Sequence, residues 1–532
     1  RPTGAPAPAH WPALRAAGQD KAADLLAAEL LGGRMNDVDC ARVTRAWDAA
    51  KADPAARAAF ADTVARHGAA AWAHPSGSRD LPARSATHDL LVDQVRIGRF
   101  AEHERNPYAF RGVQAALEPQ VLGTSLLAIG PSGAGKTRHL MRPVTEALAL
   151  QALTGRAAVV AVAAADTPLG PDDAYDVVVR PGDPESPYGL DLYAECDDPD
   201  EAAAFLAEAL VGDLDGTDTR RSATALAQLL GPYRAVHGRF PAVRALRELL
   251  EGEPGALAAL REGLGAAGSG DAEMRRELDA RVRQSGTPGD PSPALADRLA
   301  LLDRPAFARS FGDGDGAGEG RPFSLSAVAH HPLRVRVDLP ERRHEEASRL
   351  LARLLLAQFA HAVRGGTERP HFACLVLDDA ARTLTAGSVP AIRRLRSANA
   401  GVVLGLRTVG EVPEALQGPL YAAVGCRMAF SGVTTWDGRT FAEAWGTERV
   451  ETREVAQHTV YADQPMTRAI HSLRKLVTGR EVTTDAVTVR EVERERWSAS
   501  DLAQRVPPGH AVLSLTTVRG EHAPPLLVDL RG

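Results

Sequence analysis

Residues 126–137 read Leu-Leu-Ala-Ile-Gly-Pro-Ser-Gly-Ala-Gly-Lys-Thr, a short apolar run that leads directly into a glycine-rich segment. Residues 130–137 match the pattern Gly-x-x-x-x-Gly-Lys-Ser/Thr at every fixed position. Glycines let a backbone turn tightly so that several N–H groups point at one anion, and a following helix adds the positive end of its dipole. The segment therefore predicts a phosphate-binding loop between a buried strand and a helix.

The pattern also assigns roles to individual residues. We expect Lys136 to act as a catalytic point charge on the outer phosphates of ATP, and the Thr137 hydroxyl to bind Mg²⁺. The alternative is a glycine-rich turn whose lysine is merely solvated. The predicted ATP-binding residues are Gly130, Pro131, Ser132, Gly133, Ala134, Gly135, Lys136, Thr137 and Arg138.

A second apolar run, residues 374–377, ends in Asp378 and Asp379. A phosphate-binding loop needs a carboxylate from another strand to hold the metal. We expect Asp378 to join Thr137 in the Mg²⁺ shell and Asp379 to orient or deprotonate the attacking water. By itself, a run ending in two acids also describes an ordinary strand followed by a turn. Its pairing with the phosphate-binding loop favours the functional interpretation.

Strand-like and helical patterns alternate around these motifs, which predicts an α/β fold with a parallel sheet. Residues 511–515 and 525–528 are typical of a C-terminal β-hairpin, whereas residues 217–310 show only helical spacing. We divide the chain into four segments. They are an N-terminal helical region with a linker (1–85), the first part of a nucleotide-binding domain (86–216), an all-helical insertion (217–312), and the second part of the domain with the hairpin (313–532).

The composition narrows the function classes. The chain has 532 residues, of which 44% are hydrophobic, enough for a sizeable core. A net charge of -6 is unlike that of a strongly basic nucleic-acid binder, so any contact with DNA has to come from local patches. The four cysteines lie far apart without a Cys-x-x-Cys pair, which favours neither a disulfide framework nor a zinc site.

With these motifs placed, the chain resembles the conjugative coupling ATPases of type IV secretion (the TraG/TraD type), in the HerA/FtsK group of P-loop motors. Five further segments carry the resemblance beside the two motifs. They are residues 123–129 before the loop, Tyr188-Gly189-Leu190-Asp191, the helix that starts after Asp198, Arg393-Arg394-Leu395-Arg396 with the run at 401–406, and residues 425–430 with the tail from Trp497 to Val528.

The resemblance implies a RecA-like P-loop domain that carries an all-helical insertion. It also implies a homo-hexameric ring on the cytoplasmic side of the inner or plasma membrane, with ATP between subunits and single-stranded DNA or nucleoprotein passing through the centre. No apolar run in the sequence is long enough to cross a bilayer, and no signal peptide is recognisable, so this stretch of chain is expected to be soluble. The first residue is Arg1 and not Met, and we expect a membrane anchor or secretion-channel segment before it.

Further site residues follow from the same resemblance. Arg427 is a candidate for an arginine finger that completes the catalytic site of a neighbouring subunit, with an ordinary surface ion pair as an equal alternative. The cluster of Arg393, Arg394 and Arg396 is a candidate for the DNA-facing lumen, with a solvated helix face as the alternative. For Trp436, Trp445 and Trp497, packing at the edge of the core is favoured over stacking on bases.

Three positions depart from the pattern of the resembling group. Asp379 stands where glutamate is usual, Arg407 stands at the catalytic position of a phosphate-sensing glutamine, and residues 163–167 replace an Asp-Pro-Lys turn. ATP binding is therefore better supported than hydrolysis. Two functions stay open: an ATP-driven DNA translocase, and a nucleotide-dependent scaffold with little turnover. Protein export by the same motor is a third.

Overall fold

The strand that leads into the phosphate-binding loop lies near the middle of a 13-stranded sheet in the computed structural model. The structure describes residues 10–266, 271–311, 321–365, 369–459 and 483–531. The strands are β1 (Val95–Phe100), β2 (Gln114–Leu117), β3 (Leu126–Ile129), β4 (Ala157–Ala164), β5 (Val177–Val179), β6 (Tyr188–Leu190), β7 (Arg321–Phe323), β8 (Arg334–Leu339), β9 (Phe372–Leu377), β10 (Ala400–Leu406), β11 (Cys426–Phe430), β12 (Thr447–Thr459), β13 (Thr483–Glu495), β14 (His510–Thr516) and β15 (His522–Asp529).

The strand order is β2-β1-β15-β14-β11-β3-β10-β9-β4-β8-β5-β6-β7. Neighbours from β11 to β7 are parallel, and the strands from β14 to β2 extend one edge in antiparallel pairs. In β3, Leu126 and Ala128 join the hydrophobic core on one face, while Leu127 and Ile129 join the core on the other. This strand order confirms the predicted α/β fold with a parallel sheet. Both faces of such a sheet are buried, so its strands need apolar residues on both sides.

The predicted strands are present. Leu333, Val335 and Val337 alternate with polar residues, yet every residue of β8 is buried. Arg336 is paired with Asp338 at 2.9 Å, and Arg334 with Asp176 at 2.6 Å. These ion pairs satisfy the buried charges, so polar alternation does not mean exposure here. The C-terminal hairpin is confirmed as β14 and β15, and it lies inside the large sheet.

Helices cover both faces of the sheet. The helix behind the phosphate-binding loop opens as a π-helical turn, Thr137–Met141, and continues as Arg142–Leu153. The α-helices are Pro12–Ala16, Asp20–Leu31, Asp37–Ala50, Pro54–His67, Pro119–Leu122, Arg142–Leu153, Pro199–Val211, Thr219–His237, Val243–Glu251, Pro254–Ala266, Asp271–Gln284, Ser292–Leu299, Ala327–His330, Glu345–Ala362, Ser388–Leu395, Glu414–Ala423, Thr435–Trp445 and Ala499–Gln504.

The N-terminal helices enclose a small core of their own, which includes Leu26, Trp47 and Phe60. The helices between β6 and β7 instead share a core with one face of the sheet. The first of them, Pro199–Val211, begins as expected, because the Asp198 carboxylate accepts a hydrogen bond from the Asp200 N–H at 2.8 Å. The division into four segments stays a prediction.

Strands β12 and β13 form a separate two-stranded antiparallel ribbon in which Thr447 pairs with Glu495 and Thr459 with Thr483. This ribbon was not predicted, since the sequences of its two strands are rich in threonine and charged residues and show no sustained apolar alternation. Within the described ranges, no helix has both the length and the apolar character needed to span a bilayer.

Candidate functional site

Three neighbouring parallel strands bring the two sequence motifs together. β10 lies between β3 and β9, with Leu406 beside Ile129 and Leu404 beside Leu377. The carboxyl ends of parallel strands meet at one edge of the sheet, so the phosphate-binding loop after β3, Arg407 after β10 and the two acids after β9 all lie there. The Gly130 N–H donates to the Leu406 carbonyl at 3.1 Å, which fixes the loop to β10.

Two glycines allow this close assembly. Gly135 has φ +93°, and a Cβ there would lie 2.6 Å from His139. Gly405 in β10 was not singled out from the sequence; a Cβ there would lie 2.3 Å from the backbone oxygen of Asp378. Any side chain at position 405 would therefore push the acidic motif away from the loop.

Lys136 lies folded over its own loop. Its ammonium donates to the carbonyl oxygens of Gly130 and, at 3.2 Å, Pro131. Burial lowers the pKa of Lys136, although the carboxylates of Asp378 and Asp379 oppose that shift. The cation is thus held at the glycine-rich loop, and its predicted action on the outer phosphates stays a prediction.

Thr137 and Asp378 are in direct contact. The Thr137 hydroxyl lies 2.8 Å from Oδ1 and 2.9 Å from Oδ2 of Asp378. Burial raises the pKa of Asp378, while the hydrogen bond from Thr137 and the charge of Lys136 act in the opposite direction. Hydroxyl and carboxylate oxygens are hard ligands that suit Mg²⁺, so the donor set fits the predicted metal.

Asp379 has a different set of partners. Its Oδ2 accepts a hydrogen bond from Arg407 at 2.7 Å, and its Oδ1 accepts one from the Ala381 N–H at 2.9 Å. The Asp379 carboxylate raises the pKa of Arg407. The carboxylate predicted to act on water is therefore engaged in an ion pair within its own chain.

Glu411 belongs to the same cluster but was missed from the sequence. Its carboxylate accepts a hydrogen bond from the backbone N–H of Arg407 at 2.9 Å. Together with Asp379 and Arg407 it lines a cleft of about 480 Å³. The sequence signal that could have identified Glu411 is its position, four residues after Arg407 and just past the end of β10.

Arg138 lies exposed between two larger clefts. One, of about 840 Å³, also includes Thr137 and the segment after β4 that begins at Ala165. The other, of about 800 Å³, is lined by basic side chains that include Arg99, His139 and Arg531. Arg99, His139 and Arg531 were not predicted from the sequence; Arg99 and Arg531 are remote from the loop in the chain, whereas His139 directly follows Arg138.

Arg427 lies on β11 beside Leu127, below the level of the phosphate-binding loop. Its guanidinium donates to the Tyr421 carbonyl, and its Cζ lies 5.7 Å from the centre of the Tyr421 ring. Burial lowers the pKa of Arg427. Within one chain it is a packing residue, and its action on a neighbouring subunit stays a prediction.

The arginines proposed for the lumen differ from one another. Arg393 and Arg394 are exposed on helix Ser388–Leu395. Arg396 donates to the carbonyl oxygens of Thr517, at 3.2 Å, and Val518, which tie it to the turn between β14 and β15. All three arginines are exposed, but Arg396 is engaged by the turn between β14 and β15, so Arg393 and Arg394 fit the predicted location better.

Two of the three tryptophans pack as expected. Trp445 donates from Nε1 to the Ser514 hydroxyl at 2.9 Å, and Trp497 donates to the Pro525 carbonyl at 3.3 Å; both are buried. For Trp436 the expectation of core packing is wrong, since 68% of it is exposed with Arg439 over its ring at 5.6 Å.

No protein-family model and no curated protein matches this sequence. Among solved structures, the unbound monoclinic form of the bacterial conjugative coupling protein TrwBdeltaN70 has a TM-score of 0.50 and 17% identity, over 78% of this chain and 86% of that chain. Its trigonal form in complex with sulphate gives the same values. The plasmid coupling protein TrwB in complex with ADP and Mg²⁺ has a TM-score of 0.47 and 17% identity, over 78% and 86% of the two chains. At this identity the likeness establishes the fold, and the chain has the RecA-like P-loop fold of the conjugative coupling protein TrwB.

Proposed function

We propose that this chain is an ATP-binding and ATP-hydrolysing motor of the type IV secretion coupling class, which moves DNA or nucleoprotein through a membrane pore. The observation that carries the proposal is the contact between Thr137 and Asp378, at 2.8 and 2.9 Å, beside Lys136. A hydroxyl and a partly buried carboxylate held together next to a glycine-rich loop are what a Mg²⁺–nucleotide site requires.

In this proposal the loop of residues 130–135 receives the phosphates, and Lys136 moves from its own carbonyls to the outer phosphate oxygens. Thr137 and Asp378 supply the metal ligands. Bound Mg²⁺ would neutralise charge on the phosphates. The buried setting strengthens each of these electrostatic contacts.

Turnover depends on Asp379 and Arg407. Asp379 orients the attacking water and takes its proton, while Arg407 stabilises the charge that develops on the transferred phosphoryl group. Because the two side chains form an ion pair at 2.7 Å, Asp379 has to leave Arg407 before it acts on water. We therefore expect slow hydrolysis that speeds up when a bound substrate shifts this pair.

The assembly that suits this chemistry is a homo-hexameric ring. Arg427 then completes the site of the next subunit, and exposed Arg393 and Arg394 face single-stranded DNA in the lumen. Basic side chains from several subunits concentrate their field on one strand, so a net charge of -6 is compatible with DNA binding. In this proposal the ring acts on the cytoplasmic side of the membrane.

A second candidate function is a nucleotide-dependent scaffold with little turnover. The Asp379–Arg407 ion pair favours it specifically, since a carboxylate engaged by a guanidinium is not placed on an attacking water. ATP would then assemble the ring without driving movement.

A steady-state ATPase assay distinguishes the motor from the scaffold. It is run with and without single-stranded DNA, and the Lys136→Ala variant gives the background rate. The motor predicts turnover well above that of Lys136→Ala and a further rise with DNA. Turnover equal to that of the variant under both conditions, with ATP still bound, would reject the motor in favour of the scaffold. Strong turnover that ignores DNA would point to protein export.

A further inference from the structure

A cluster of potential metal ligands lies away from the phosphate-binding loop, where helix Pro199–Val211 begins beside the end of helix Glu345–Ala362. Cys196 precedes the first helix, Glu201 lies in its first turn, and His361 lies in the last turn of the second. One ligand atom from each residue lies within 4.8 Å of the others. His361 is remote in sequence, so cysteine spacing alone gave no sign of this cluster.

The distances suit a tetrahedral ion. The Glu201 Oε2 atom lies 3.8 Å from the Cys196 Sγ and 3.6 Å from the His361 Nε2. Zinc bonds of about 2.3 Å to sulfur and about 2.0–2.2 Å to nitrogen or oxygen place tetrahedral ligands roughly 3.3–3.6 Å apart. The third pair, Cys196 and His361, lies within 4.8 Å, so side-chain shifts of no more than roughly 1 Å would close the site.

The surroundings allow an ion to enter and bind. The side chain of Glu201 is 50% exposed and that of His361 is 21% exposed, so the cluster opens to solvent. The Phe205 ring lies 5.7 Å from the His361 ring and covers one side of it. A glutamate in the first turn often bonds back to the N-cap amide. Glu201 instead points its carboxylate at the thiol and the imidazole.

We propose that Cys196, Glu201 and His361 form a zinc site, with water as the fourth ligand. A thiolate and an imidazole select zinc over Mg²⁺, which prefers oxygen ligands. Burial raises the pKa of the Cys196 thiol, so the thiol loses one proton to solvent as the sulfur–zinc bond forms. The ion would fasten the start of helix Pro199–Val211 to the end of helix Glu345–Ala362. This site does not depend on the proposed motor function.

The test is a Co²⁺ titration of the full chain, followed by displacement with Zn²⁺. We expect one equivalent of Co²⁺ to give a thiolate charge-transfer band and the visible bands of a four-coordinate ion, both lost when Zn²⁺ is added. Cys196→Ser should remove the charge-transfer band, and His361→Ala and Glu201→Gln should each weaken Zn²⁺ binding by at least about tenfold.

Matched controls separate the site from general metal uptake. Asp200→Asn removes a neighbouring exposed carboxylate, and Cys40→Ser removes another thiol. Both should retain the spectrum and the affinity of the unmodified chain. The proposal is overturned if the unmodified chain shows no stoichiometric charge-transfer band. It is also overturned if Cys196→Ser binds Co²⁺ with the same spectrum, since the thiol would then not be a ligand.

Discussion

The candidate site at the carboxyl edge of the parallel strands consists of two groups of residues, an inner half and an outer half, which are held in place by different contacts. The inner half, Lys136, Thr137 and Asp378, consists of partly buried groups that contact one another or the loop itself. The outer half, Asp379, Arg407 and Glu411, is tied together by an ion pair whose arginine is 55% exposed. The inner half keeps the residues of the resembling ATPases, whereas the outer half departs from them at Asp379 and Arg407. This contrast implies that nucleotide binding and hydrolysis can be altered separately.

The largest expected effect concerns the inner half. Lys136→Ala should lower ATP affinity by roughly 1,000-fold, because it removes about two charge-assisted hydrogen bonds to phosphate oxygens, each contributing about 1.5–3 kcal/mol. A titration with a fluorescent ATP analogue measures this. Lys51→Ala, which removes an exposed lysine paired with Asp48, is the control and should bind normally. Unchanged affinity in Lys136→Ala would remove the phosphate assignment.

The next test compares the two neighbouring acids directly. Asp379→Asn should lower kcat by about 100-fold or more while ATP affinity stays the same, because it removes only the general base. Asp378→Asn should instead abolish Mg²⁺-dependent turnover, because it removes a metal ligand. Measurement of kcat and affinity over a Mg²⁺ series distinguishes them. Equal and mild effects of both changes would show that the halves are not distinct.

A smaller effect is expected when the acid of the outer half is lengthened at position 379. Asp379→Glu should raise kcat by about two- to fivefold, since a longer side chain can reach water without fully leaving Arg407, and an exposed ion pair contributes only up to about 1 kcal/mol. The steady-state ATPase rate measures this change. A lower rate would show that the shorter acid is adapted to its partner.

The smallest effect is on stability. Burial raises the pKa of Asp378, so the charged form destabilises the nucleotide-free fold above that pKa. Asp378→Asn should therefore raise Tm by about 1–2 °C at neutral pH. The gain should shrink as the pH falls through the raised pKa and disappear below the ordinary value of an aspartic acid, where both the folded and the unfolded state are protonated. A gain that persists at acidic pH would rule out this cause. Thermal unfolding without nucleotide at several pH values measures it.

The sequence by itself determined the parallel α/β core, the strand before Gly130, the capped helix after Asp198 and the C-terminal hairpin. Each is encoded by contiguous residues, through apolar runs, a capping aspartate or glycines at fixed positions, so local physical chemistry is sufficient. The ribbon of β12 and β13 was missed because its pattern contains no apolar stripe. The exposure of Trp436 was also missed, since a side chain's burial depends on what packs over it.

Only the tertiary structure decided which residues meet. The insertion of β10 between β3 and β9 places Arg407 on Asp379 and brings Gly405 against Asp378. Tertiary packing also decided that Glu411 accepts from the Arg407 N–H and that Arg427 contacts Tyr421. It likewise brought Cys196 and Glu201 close to His361. The order of strands in a sheet and the crossing of helices depend on packing between remote segments, and no local pattern in the chain encodes them.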